Sequence, residues 1–106
     1  MKKIYLSGPM RGYTNNNFAA FDAAKKYFTS FGAPEATVVS PADLDRDAGF
    51  DGDNNDDVHI REFAKRDLAA VLDCDVIYML RGWEKSIGAR AEHAAAIFGE
   101  LEIWYE

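Results

Sequence analysis

Apolar positions recur along this chain with two different spacings, and the spacing alternates from segment to segment. Ile4-Tyr5-Leu6-Ser7 is short and apolar, and it reads as a strand. From about Asn16 to Phe31 the phenylalanines Phe18, Phe21, Phe28 and Phe31 recur at helical spacing on one side. Gly32 and Pro34 stop that helix. Thr37-Val38-Val39-Ser40 is a second strand, ended by Pro41. A long acidic loop follows, and then a helix from roughly Val58 to Leu72 whose stripe is Ile60, Phe63, Ala64, Leu68 and Val71. Val76 to Leu80 is a third strand, Ser86 to Gly99 a third helix, and Glu102-Ile103-Trp104 a last strand.

The order β-α-β-loop-α-β-α-β predicts an α/β domain. We expect a Rossmann-like (flavodoxin-like) three-layer sandwich with a four-stranded, mainly parallel sheet. Ligands of such folds bind beyond the carboxyl ends of the strands. The turn at 8–12, the acidic loop after Ser40 and the segment 81–88 meet there. A chain of 106 residues fits one domain, residues 1–106. No apolar run is long enough to cross a membrane, and the N-terminal apolar stretch is too short for a signal peptide. Cys74 is the single cysteine, which excludes an internal disulfide or thiolate cluster and suits a reducing cytoplasm.

Charge changes the picture in one region. Residues 43–57 hold seven aspartates and one arginine, so this stretch accounts for the whole net charge of −6. The rest is neutral overall, which disfavours a nucleic-acid polymer as partner. The aspartates do not make a calcium loop. Counting from Asp43, position six is Ala48 and position twelve Asn54; counting from Asp51, Asp56 replaces the turn glycine. His59 and His93 have no ligand-like spacing, and no metal or other cofactor is expected.

Two acids fall where solvated acids do not belong. At about 100° per residue, Glu92 shares the helix side of Gly88, Ala95, Ala96 and Gly99, where a backbone or ligand approaches closely. Asp67 falls near the centre of the apolar stripe of its helix, away from Arg61, Lys65 and Arg66. Asp67 is either a structural acid bonded to a nearby loop or half of a carboxylate pair with Glu92. Such pairs cleave glycosidic bonds.

The remaining candidates each carry two readings. Gly8 and Gly12 permit close approach and Arg11 offers a planar fork to phosphate, in what is otherwise a plain strand-to-helix turn. Ser86 and Gly88 open a helix, as an N-cap or an anion site. Trp83 either stacks on a base or closes the edge of the core. Tyr5, between Ile4 and Leu6, needs a hydroxyl partner if buried, and a carboxylate would serve.

Three stretches, in order, carry a resemblance: Tyr5-Leu6-Ser7-Gly8-Pro9-Met10-Arg11-Gly12; Asp67-Leu68 followed by Asp75-Val76-Ile77; and Gly82-Trp83-Glu84-Lys85-Ser86-x-Gly88-Ala89-Arg90-x-Glu92. With them the chain resembles the nucleoside 2-deoxyribosyltransferase-like superfamily, above all its short phage and prophage members, relatives of the deoxynucleoside 5′-monophosphate N-glycosidases. The resemblance implies Glu92 as nucleophile toward C1′, Asp67 aiding the departing base or positioning the sugar, and Tyr5 orienting Glu92. Arg11, Ser86 and Gly88 would hold a 5′-phosphate. It also implies a homo-oligomer, a dimer or larger. Two features depart from the family pattern: His93 replaces an aliphatic residue, and the chain ends at Glu106 without the C-terminal segment that relatives lend to a neighbour. The expected function is cleavage or exchange of the N-glycosidic bond of a 2′-deoxynucleoside or its 5′-monophosphate, hydrolysis being favoured over transfer. The alternatives are a noncatalytic nucleotide-binding or sensor module, such as a phage accessory protein, and an adaptor using the acidic loop.

Overall fold

Strand residues point alternately to opposite faces, and the first strand uses both. In a computed structural model describing residues 2–50 and 60–106, β1 (Ile4–Ser7) is buried along its whole length. Ile4 and Leu6 join one apolar cluster, with Phe18, Phe21 and Ala24 of α1 (Phe18–Ser30). Tyr5 turns to the other cluster, with Val71 of α3 (Ile60–Leu72) and Ala89 and Ala96 of α4 (Ile87–Phe98). β3 (Val76–Met79) repeats the pattern: Val76 faces α1, whereas Ile77 and Met79 face the α3–α4 layer. Fully burying a side chain such as Phe21 stabilises the fold by about 2 kcal/mol.

These two clusters separate three layers. The middle one is a four-stranded sheet in the order β2-β1-β3-β4, with β2 at Val38–Val39 and β4 at Glu102–Tyr105. Every neighbouring pair is parallel; Tyr5 stands beside Val39 on one side and Ile77 on the other. The α/β class and the parallel four-stranded sheet agree with the pattern of the sequence. β1 leads outward to β2 while β3 leads the opposite way to β4, so a crevice opens beyond the carboxyl ends of the two central strands.

Several element boundaries differ from the sequence expectation, each for a local reason. The first helix begins at Phe18 rather than Asn16, because Asn15, Asn16 and Asn17 adopt left-handed backbone conformations within a preceding 3₁₀ turn. Phe31 lies past the helix end and is 78% exposed, so it is not part of the buried phenylalanine face. Pro41 does not simply end a strand. It opens α2 (Pro41–Asp47), with Ser40 as N-cap accepting a bond from the Ala42 N–H. The front of the expected acidic loop is therefore helical. Asp51 to Asp57, Val58 and His59 lie outside the described residues. No helix among the described residues is long and apolar enough to cross a membrane.

Candidate functional site

Because strand side chains alternate, Tyr5 and Ser7 share the face that α4 covers. Both hydroxyls therefore point toward one helix, and Glu92 meets them. The Tyr5 hydroxyl donates to Glu92 Oε2 at 2.7 Å, and Ser7 Oγ donates to Oε1 at 2.6 Å. Glu92 lies one turn after Ala89 and one before Ala96, on the buried side of α4, and is only 8% exposed. Burial raises its pKa to about 7; the bonds from Ser7 and Tyr5 oppose the rise, and the nearby Asp67 carboxylate adds to it. Burial beside these acids also holds the Tyr5 phenol well above its ordinary pKa, so Tyr5 stays a donor.

Glu92 forms part of the wall of a cleft of about 500 Å³. That volume suits a small molecule. Pro9, Arg11, Tyr13 and Asn16, from the segment after β1, form one side. Ile60, Phe63, Asp67 and Leu68 of α3 form another, and Lys85 to Gly88 with Ala91 frame the start of α4. Asp67 thus reaches the cleft with Glu92. Burial lifts its pKa to about 6, and Arg66 opposes that rise.

Arg66 is not on the solvated face that helical spacing assigned to it. Its Nε donates to Asp67 Oδ1 at 2.8 Å and its Nη2 to Asp45 Oδ1 at 2.6 Å. Asp45 comes from α2, is buried and borders the same cleft. Ser7, Asp45 and Arg66 are the site residues that the sequence reading missed. Period-two alternation from Tyr5 would have marked Ser7. The Ser40-Pro41 pair, an N-cap followed by proline, would have marked the helix that carries Asp45.

Arg11, Ser86 and Gly88, expected to bind substrate, line the cleft. Ser86 is also the N-cap of α4, accepting from the Ala89 N–H at 3.1 Å. Two expected substrate contacts fall elsewhere. Gly8 is packed under Leu80, where an added Cβ would sit 2.7 Å from the Leu80 Cβ; its close approach serves the core. Trp83 stacks on His93 at 4.3 Å between ring centroids and packs against the core beneath α4, away from the cleft lining. His93 Nε2 lies 2.9 Å from the Tyr105 hydroxyl.

Among the described residues no group of three or more histidine, cysteine or acidic side chains is arranged to hold a metal ion. Asp43 and Asp45 are instead bonded to Lys25, Arg46 and Arg66. The calcium register that starts at Asp51 lies outside the described residues. Cys74 is buried, and burial pushes its thiol up to about 11.

A buried carboxylate gripped by two hydroxyls, with a second acid on the same cleft, is equipped for nucleophilic and proton-transfer chemistry. No curated protein and no solved structure matches the chain. A family model described as a domain of unknown function, DUF4406, matches residues 2–105. The chain belongs to the DUF4406 family.

Proposed function

We propose that the domain cleaves or exchanges the N-glycosidic bond of a 2′-deoxynucleoside or its 5′-monophosphate, with Glu92 as nucleophile. The observation that supports this is the Glu92 carboxylate, held at each oxygen by a hydroxyl of β1, on a cleft that Asp67 also lines. A Glu92 oxygen attacks C1′ as the C1′–N bond breaks. Asp67, in its protonated form, gives its proton to the departing base. Water then attacks C1′ of the glycosyl-enzyme, its proton passes to the Asp67 carboxylate, and Glu92 is released. A second base taking the place of water makes the reaction a transfer. Arg11, Lys85 and the N–H groups at the start of α4 suit a 5′-phosphate. The reading includes a cytoplasmic setting, which the unpaired Cys74 suits.

The test is incubation with each deoxynucleoside and each monophosphate, with chromatography for free base. Release of base from at least one substrate is expected, and Glu92→Ala abolishes it. A folded protein that frees no base from any of them overturns the proposal.

One observation favours a second reading. With a pKa of about 7, Glu92 is half protonated at neutral pH, and a carboxylic acid is a poor nucleophile. A noncatalytic nucleotide-binding module would use it as a hydrogen-bonding group. Thermal stabilisation by a nucleotide without product would favour that reading.

A further inference from the structure

Neighbouring positions on a helix point about 100° apart and do not face each other. Arg66 nevertheless bonds the acid next to it, because its long stem carries the guanidinium across the ring of Phe63, to 5.3 Å from the centroid. There it meets two carboxylates. Nη2 donates to Asp45 Oδ1 of α2 at 2.6 Å, and Nε donates to Asp67 Oδ1 at 2.8 Å. Nη2 also lies 2.8 Å from that same Asp67 oxygen. The three side chains are at most 26% exposed. Arg66 is not among the described residues that line the cleft, whereas Asp45, Phe63 and Asp67 are.

One guanidinium cannot neutralise two carboxylates. The shorter bond goes to Asp45, and the cluster keeps one excess negative charge until Asp67 takes up a proton. The place of that proton is restricted. Oδ1 faces two nitrogens that can only donate, so a hydrogen on that oxygen would meet theirs. Oδ2 is the oxygen left to carry it, on a side chain that lines the cleft. The other titratable groups coupled to Asp67 are Glu92 of α4 and the Tyr5 phenol of β1, and Arg11 and Lys85 line the same cleft. Tyr5 is committed to Glu92 rather than to Asp67.

We propose that Arg66 is the positioning residue for Asp67: by holding Oδ1 it confines the exchangeable proton to Oδ2, and Asp45 fixes the guanidinium that does so. The use of this proton rests on the cleavage proposed above. There the Oδ2–H bond breaks, the proton passes to a nitrogen of the departing base, and the electron pair left on Asp67 is met by the Arg66 charge. The same oxygen then takes a proton back from the attacking water. The location of the proton stands without that reaction.

Neutron diffraction from crystals of the full chain at about pD 5, where Asp67 with its pKa of about 6 is protonated, should show a deuteron on Asp67 Oδ2 and Arg66 Nε donating to Oδ1. A deuteron on Oδ1 overturns the inference. Carboxyl-carbon NMR gives a second readout. Arg66→Met should raise the Asp67 midpoint from about 6 to about 7 or above, because the cation that opposed protonation is gone. An unmoved midpoint in the folded variant overturns the inference. Arg66→Lys keeps the charge without the planar fork. Its midpoint should stay near 6 while kcat falls about tenfold at an unchanged KM, and a full wild-type kcat in this variant overturns the positioning role. Asp45→Asn should lower kcat in the wild-type chain but add nothing to Arg66→Lys; additive losses overturn the part given to Asp45. If no substrate releases base, the glycosidic reading fails, and the neutron and NMR results still decide where the proton sits.

Discussion

Glu92 is held in a state that favours its proton. Its folded pKa of about 7 lies above the ordinary 4.5, so the folded protein binds the proton more tightly than the unfolded chain does. That contribution to stability is complete below about pH 4.5 and is lost as pH rises through 7. Glu92→Gln, which cannot ionise, should therefore stabilise the fold by about 3 kcal/mol at pH 8 and by almost nothing at pH 4. Denaturant unfolding at the two pH values measures the difference. The proposed glycosidic cleavage needs the Glu92–Asp67 pair to hold one proton. The rate profile is then bell-shaped, with limbs near 6 and 7 that belong to the pair. Asp67→Asn lowers the rate by about 10² to 10⁴ and removes the alkaline limb, because the amide has no proton to lose. Helical geometry made both acids legible in the sequence, since each falls on a face where a solvated acid has no place. Ser7 was harder to see, because a serine before Gly8-Pro9 reads as part of a turn. The role of Arg66 was hidden because its partner Asp45 belongs to a helix that the sequence reading took for a loop.

Elements were legible wherever one spacing dominated. β1, β3, α3 and α4 fall within a few residues of their expected bounds, because each has a clear apolar period and a defined stop. α2 did not stand out, since its seven residues contain three aspartates and an arginine and show no helical stripe. Its apolar contact comes from Pro41 and Ala42 at one end. Gly8 carries a second lesson at this scale. Its lack of a side chain lets the end of β1 pass beneath Leu80, and Gly8→Ala forces a Cβ to 2.7 Å from the Leu80 Cβ. The variant should lose about 1–3 kcal/mol in a denaturant titration. Gly88, whose Cβ would meet nothing closer than Ser86 Oγ at 4.0 Å, should tolerate alanine in the fold, so that variant tests the proposed role of the helix start in holding a substrate.

Across the whole molecule, the alternation of strands and helices specified a parallel sheet but not the order of its strands. That order depends on which strands are buried on both sides, a property of the assembled layers. β1 is buried throughout, whereas β2 has two residues and β4 is partly exposed along its length. Amide exchange should follow the same ranking: the β1 and β3 amides exchange slowest, close to the rate of global unfolding, and the β4 amides at the outer edge exchange fastest. Mass-spectrometric exchange resolves this directly. The site joins the fully buried first strand to a helix start on the cleft, so its hydroxyl donors are anchored in the core.

The alternation within β1 ties heredity to architecture. Slipping that strand by one position would exchange Ile4 and Leu6 with Tyr5 and Ser7, turning the oil of one layer into the polar grip of the other. A frame-preserving insertion or deletion there would break the fold and the carboxylate's anchorage together. The two hydroxyls that hold Glu92 therefore cannot be lost by a shift in β1 without the loss of this shape as well.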